Sequence, residues 1–227
     1  MIGTWNAPLA DAKHSEELIV SFDSKRDVRV LVLPALFDEA NKLRRFTCEV
    51  MRQLDAQGID TFLPDLPGMN ESTAPLAAQT IAFWNEAASA ALDAVAATHV
   101  LALRGGGLIA DTGLPGWLYA PTTGAALLKT LIRARMIASK EAGETESSEA
   151  ITREARRDGT TLAGWDMSAE MFRQLETAVS PASPALKTID HSELGGKALW
   201  LRAEPDDDAD QSGALAQAIC ADLAFAG

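Results

Sequence analysis

Short apolar runs alternate with amphipathic stretches through the first half of this chain. Val28-Arg29-Val30-Leu31-Val32-Leu33 is β-branched and nearly continuous. That is the pattern of a central strand covered on both faces, and Pro34 ends it. From Glu39 to Gln57, Leu43, Phe46, Val50 and Leu54 recur at three and four, one face of an amphipathic helix closed by Gly58. Ile59–Leu63 predicts a second strand, stopped by Pro64. Ile81, Trp84, Ala88, Leu92 and Val95 mark a helix within Leu76–Ala97, and His99–Leu103 a third strand running into Gly105-Gly106-Gly107. The rhythm predicts a helix after those glycines and then a fourth strand at Trp117–Ala120, ended by Pro121. The first 27 residues are mixed in character and suggest one or two edge strands, with Leu18–Phe22 the best candidate.

This alternation of strand and helix predicts an α/β fold, a mostly parallel sheet with helices on both faces. Ligands of such sheets sit beyond the carboxyl ends of the strands. Here those ends are Pro34–Phe37, Asp65–Ser72, Arg104–Gly107 and Pro121–Thr123. After Gly124 the rhythm breaks. Leu127 to Ile137 predicts a helix carrying Lys129, Arg133 and Arg135. Ser139–Ala150 is acidic and Ser-rich, so a loop or weak helix is expected. Residues 124–160 are therefore expected to form a small helical lid within a single domain spanning 1–227. Ser168 is expected to cap a helix through Met171, Phe172 and Leu175. Ala198–Ala203 predicts a fifth parallel strand with Asp206-Asp207-Asp208 past its end, and Ser212–Leu223 a last helix.

Composition narrows the partners. Twenty basic and 32 acidic residues leave a net charge of −12 among 227 residues. That balance excludes a general nucleic-acid binder, which needs positive charge, and broad attraction to anionic lipid. No stretch reaches the ~18 apolar residues of a membrane span. Met1–Ala12 lacks a basic start followed by an apolar run, and Cys48 and Cys220 lack nearby partners. A cytoplasmic location with two free thiols is the expectation. His14, His99 and His191 are too scattered for a zinc site. Gly105-Gly106-Gly107 lacks both a Gly at position 110 and a phosphate-binding Lys. No metal and no cofactor is called for.

Chemistry gathers at the third strand's end. The pentad Ala102-Leu103-Arg104-Gly105-Gly106 has the small-bulky-X-small-small form of a nucleophile elbow. Its central residue is Arg104, a permanent cation with no lone pair to attack a carbonyl. No Ser, Thr or Cys lies between Val100 and Asp111. His191 is expected in a surface loop ahead of the fifth strand, and no histidine follows Leu194 to serve as the base. Arg104 could bind an anion or pair with a carboxylate and plug the site. Ala35-Leu36-Phe37 lies at the same edge of the sheet, past the end of the first central strand.

These residues resemble an α/β-hydrolase. Asp65-Leu66-Pro67-Gly68-Met69-Asn70-Glu71-Ser72 looks like that fold's D-x-P-G-x-G-x-S loop, with Asn70 in place of the second Gly. Phe37 to Arg45 resembles the F-x-E-E-x-N-x-x-R-R segment of the exosortase A system-associated hydrolases of type 2. Leu103-Arg104, Gly116–Ala138 and Leu162–Ser168 also resemble that group, from about Val28 to Ala203. The resemblance implies a hydrolase-like fold with a shortened C-terminal part. It also implies a role linked to exopolysaccharide production and protein sorting, through a small anionic ligand or a protein partner. The expected ligand-binding residues are Phe37, Glu39, Asn41, Arg104, Gly105 and Thr122. A carboxylate-activated water at Glu39, Asp65 or Asp206 is the alternative, giving ester or thioester hydrolysis.

Overall fold

A computed structural model describes residues 1–9, 13–206 and 208–226. Its elements in chain order are β1 (Ile2–Pro8), β2 (His14–Phe22), β3 (Arg29–Leu33), α1 (Asp38–Ala56), β4 (Asp60–Pro64), α2 (Ile81–Ala94), β5 (His99–Leu103) and β6 (Gly116–Tyr119). They continue as α3 (Gly124–Glu141), α4 (Ser148–Asp158), β7 (Thr160–Leu162), β8 (Trp165–Met167), α5 (Ala169–Thr177), β9 (Leu186–Ile189), α6 (His191–Leu194) and α7 (Ala209–Ala226). Seven strands form one sheet in the order β1-β2-β4-β3-β5-β6-β9. The β1–β2 and β2–β4 pairs are antiparallel, and every later pair is parallel.

The period-two alternation of the central strands sorts two cores. Val30 and Val32 of β3, with Leu101 and Leu103 of β5, pack with Phe46 and Val50 of α1 and Leu215 and Ile219 of α7. Leu31, Leu33, Val100 and Ala102 face the other way, toward Trp84 and Ala88 of α2. That second core continues through Leu128, Ile151 and Phe172 into α3, α4 and α5. These helices and the β7–β8 hairpin all lie between β6 and β9 in sequence. Ser168 caps α5 by accepting the Met171 amide, as its place in the sequence predicts.

Three expectations are corrected. Ala198–Ala203 is not a strand, since Leu199–Leu201 is a single 3-10 turn. The last parallel strand is instead β9, whose Lys187 and Thr188 are exposed. A half-polar edge strand carries too weak an apolar signal to be read, whereas Leu201 is apolar yet 78% exposed. Next, no α-helix joins β5 to β6, and Arg104–Ile109 is 3-10. Three consecutive glycines each cost a helix about 1 kcal/mol relative to Ala. Finally, the acidic run is split. α3 extends to Glu141, and Ser147 then caps α4 by accepting the Ala150 amide. Arg135 draws Glu146 and Glu154 in around it, which orders a stretch whose sequence is nearly devoid of hydrophobes.

Asp23 supplies a test of acid stability. A side-chain hydrogen bond from Arg29, then the Lys25 amide, lowers its carboxyl to about 2. A carboxyl depressed by folding stabilises fully above its unfolded value and loses that contribution as pH falls through the folded one. Asp23→Asn is therefore expected to lower the melting temperature at neutral pH. The gap to wild type should close between about pH 4 and about pH 2, as read by thermal melts across that range.

Candidate functional site

Strain marks the carboxyl edge of the sheet. Phe37 after β3, Asn70 after β4, Arg104 after β5 and Ala120 after β6 all have positive φ, at 56°, 48°, 53° and 44°. A non-glycine residue held there costs about 1–3 kcal/mol and persists where its surroundings over-determine it. At Arg104 the reason is visible two residues on. A Cβ on Gly106 would lie 2.5 Å from the Leu33 carbonyl oxygen and 2.6 Å from that of Pro34. The elbow thus packs backbone against backbone on the end of β3, as a nucleophile turn does.

The side chain at the apex is fully engaged. Arg104 Nε donates to Glu39 Oε2 and Nη2 to Glu39 Oε1, both at 3.0 Å, while Nη1 donates to the Ala120 carbonyl at 2.8 Å. The guanidinium also lies over the Trp200 ring, 4.0 Å from its centroid, a cation–π contact worth about 0.5–2 kcal/mol. The Arg104 and Glu39 side chains are 13% and 14% exposed. Glu39 comes from the first turn of α1, Ala120 from the end of β6 and Trp200 from the C-terminal turn. Three regions are therefore latched over the elbow. The cleft left beside them measures about 110 Å³ and includes Leu36, Thr122, Leu127 and Leu131.

Among the described residues at this site, no Ser, Thr or Cys side chain is bonded to an imidazole. His191 lies two residues past the end of β9 and is half-buried, contrary to its expected place in a loop ahead of the last strand. Its Nδ1 is hydrogen-bonded to the Tyr119 hydroxyl at 2.9 Å, and its ring meets Trp200 edge to face at 4.9 Å. The indole thus touches the imidazole on one side and Arg104 on the other. Burial pushes the Tyr119 phenol upward, so it stays protonated. The acid after the last strand is Asp190, which is spent on a capping box with Glu193. Asp206 pairs with Arg202, and Asp208 caps α7 by accepting the Gln211 amide. Asp207 lies outside the described residues. His99 stacks on Trp117, and burial lowers its pKa, as suits a structural residue. Both thiols, Cys48 and Cys220, are free and pushed up by burial, which disfavours the reactive thiolate. Among the described residues, no group of three His, Cys, Asp or Glu side chains could hold a metal ion. No helix among them is long and apolar enough to cross a membrane.

The expected ligand residues separate. Glu39, Arg104 and Thr122 share the small cleft. Gly105 is buried behind it, where an added Cβ would meet Leu127 and Leu36 at 3.0 and 3.1 Å. Phe37 is 1% exposed and lies between Trp84 and Trp165, with ring centroids at 5.7 and 5.9 Å. Asn41 lies on another side of α1, where it lines a second depression of about 480 Å³.

The sequence named Asn41 and Asp65 separately but did not join them in this depression. Its wall includes Asp38, Arg44, Asp65, Asn70 and Trp165. Asp65 follows β4 in a loop pinned from behind. The Trp5 indole donates to its carbonyl at 3.3 Å, and the Trp84 indole donates to that of Pro67 at 2.9 Å. Asp65 Oδ1 accepts from Arg44 at 2.7 Å and Asn70 at 2.9 Å. Oδ2 is buried with no partner, which costs about 1–3 kcal/mol or more for a charged group. The D-x-P-G pattern pointed to Asp65, but nothing in the sequence places Trp165, a hundred residues later, beside it.

No family model and no curated protein matches the sequence. Solved structures do. The chain is similar to mouse alpha/beta hydrolase domain-containing protein 10 at 13% identity, covering 99% of this chain and 100% of that one, with a TM-score of 0.56. It is similar to an AqdC variant that recognises and cleaves the ring of the Pseudomonas quinolone signal, at 16% identity, covering 100% of both chains, with a TM-score of 0.58. A thermophilic esterase from Thermogutta terrifontis aligns at 11% identity over 98% of each chain, with a TM-score of 0.54. At such identities the likeness establishes architecture alone. The fold is that of the α/β-hydrolases, a mostly parallel sheet flanked by helices.

Proposed function

We propose that this protein is an α/β-hydrolase-fold binding protein without nucleophilic hydrolase chemistry. The supporting observation is the Arg104 latch. A cation at the elbow apex has every nitrogen bonded, to Glu39 and to the Ala120 carbonyl. A small anion entering the cleft at Glu39, Arg104 and Thr122 must exchange with the Glu39 carboxylate, so ligand entry and latch opening are one event. Residues 124–160 act as the lid, since Leu127 and Leu131 of α3 border that cleft. The resemblance of Phe37–Arg45 and Leu162–Ser168 to the exosortase-associated group suggests the setting. There the protein serves exopolysaccharide production and protein sorting as a cytoplasmic accessory, holding a small anionic ligand or a protein partner.

Purified protein is expected to remain unlabelled by a fluorophosphonate probe and to hydrolyse p-nitrophenyl acetate and butyrate no faster than buffer. Arg104→Ser should not change this, because the Trp200 indole meets the nearby imidazole and Tyr119 already bonds it. Probe labelling of any serine in the wild-type chain would overturn the reading. One observation favours a second reading. Glu39, Asp65 and Asp206 are all paired with arginines, and of them Asp65 keeps a buried oxygen, Oδ2, without a partner. Ester turnover that vanishes in Asp65→Asn would establish a carboxylate-activated water instead.

A further inference from the structure

We infer that the larger depression, on the Asn41 side of α1, is a binding site for a neutral polyhydroxylated ligand of the saccharide class. A ligand hydroxyl is held by Asp65 Oδ2 and a ring face by Trp165. This site differs from the Arg104 cleft, and the inference stands whether or not the elbow is catalytically silent.

Four features of the depression carry it. The first is room. At about 480 Å³ it is more than four times the volume of the elbow cleft, within the range of small-molecule sites. The second is the unmet acceptor. Asp65 lines this depression with a side chain 1% exposed, and its Oδ2 has no hydrogen-bond partner. A carboxylate in that state calls for a donor.

The third feature is charge. Arg44 is paired with Asp65 and Lys42 with Asp38, both at 2.7 Å, while Glu71 adds a further carboxylate to the rim, so no surplus positive charge favours an anion. A cation is disfavoured for a more local reason. Arg44 already neutralises Asp65 through Oδ1 at 2.7 Å. An ammonium on Oδ2 would sit beside that guanidinium, on the same carboxyl group. A neutral hydroxyl meets the need without the repulsion. The fourth is the aromatic wall. Phe37 meets Trp165 edge to face at 72°, which fixes the indole where it lines the depression. An indole face with neighbouring amides and a carboxylate suits a molecule having an apolar ring face and a hydroxylated edge. Asn41 and Asn70 supply those amides, each with donor and acceptor capacity.

The test uses the full chain and a panel of methyl glycosides of glucose, galactose, mannose and N-acetylglucosamine. n-Butylammonium and inorganic phosphate represent the two charged alternatives. Saturation-transfer NMR and tryptophan fluorescence titration report binding. At least one glycoside is expected to bind saturably and to bring its ring protons close to an aromatic side chain. Asp65→Asn should weaken that affinity about tenfold or more. With the new amide oxygen kept on Arg44, its nitrogen turns a donor toward the ligand's own donor. Trp165→Ala should produce a similar loss. Exposed Asn41→Ala should weaken binding by a smaller factor without disturbing the fold, which keeps the test decisive should the other two variants misfold. Arg157→Ala, on the outer surface of α4, should leave binding unchanged. The proposal is overturned if no glycoside binds, if glycoside affinity is the same in Asp65→Asn and Asn41→Ala as in wild type, or if only the ammonium or the phosphate binds.

Discussion

Glu39→Ala is expected to destabilise the protein by about 3 kcal/mol, the low end of the range for breaking a buried pair, because both partners keep slight exposure. At about 2–4 °C per kcal/mol for a chain of this size, the melting temperature should fall by roughly 6–12 °C. The loss comes mainly from Arg104. Deleting the carboxylate leaves two guanidinium nitrogens without their partner in a side chain only 13% exposed, beneath the Trp200 ring. The partner variant is informative for a different reason. Arg104→Gly strands Glu39 but relaxes a backbone held at φ 53°, where glycine is at ease. The double variant Glu39→Ala/Arg104→Gly removes both charges and the strain together. It should be more stable than Glu39→Ala alone, a non-additivity that urea unfolding of the four proteins would measure. Additive losses would show that the latch is not a coupled unit, and the binding reading built on it would fail with it.

Trp84→Ala is expected to cost about 4–5 kcal/mol, near the upper end for truncating a buried aromatic residue. Trp84 has no exposure, sits in the core under β3 and β5, and stacks at a tilt on Phe37. Its indole also donates to the Pro67 carbonyl at 2.9 Å. Trp84→Phe separates the two contributions. It keeps most of the ring but orphans that carbonyl, for a loss of about 1–3 kcal/mol. The consequence extends to function because Pro67 lies in the loop that holds Asp65. A Cβ on Gly68 would lie 2.8 Å from Leu76 Cα, so the loop has little slack. Hydrogen exchange should show faster amides at Gly68 and Met69 in both variants. Faster exchange confined to α2 would mean that the indole supports the helix rather than the Asp65 loop.

The core of the fold was legible because its strands are buried on both faces. Val30 to Leu33 and Val100 to Leu103 are apolar at nearly every position since helices cover each side, and such runs announce themselves. The same rule hid β9. At the sheet edge one face is solvated, so Lys187 and Thr188 interrupt the pattern and the run at 198–203 outshone it. From that misplacement followed the wrong setting for His191 and the placing of Asp206 just past a strand end. Asp190 and Glu193 do carry the capping-box spacing, a local signal that a short helix begins there and that β9 has just ended.

The site divides along the same line. The chain's own residue order decided that Arg104 stands at a strand-to-loop bend and that no hydroxyl or thiol competes with it, because an elbow is a local feature spanning a few residues. Pairing Arg104 with Glu39 joins positions 65 residues apart. Setting Trp165 beside Asp65 joins a hairpin between β6 and β9 to the end of β4. Those contacts depend on strand order and on which helix face meets which neighbour. A linear sequence leaves such distances open, and only packing around the shared sheet closes them.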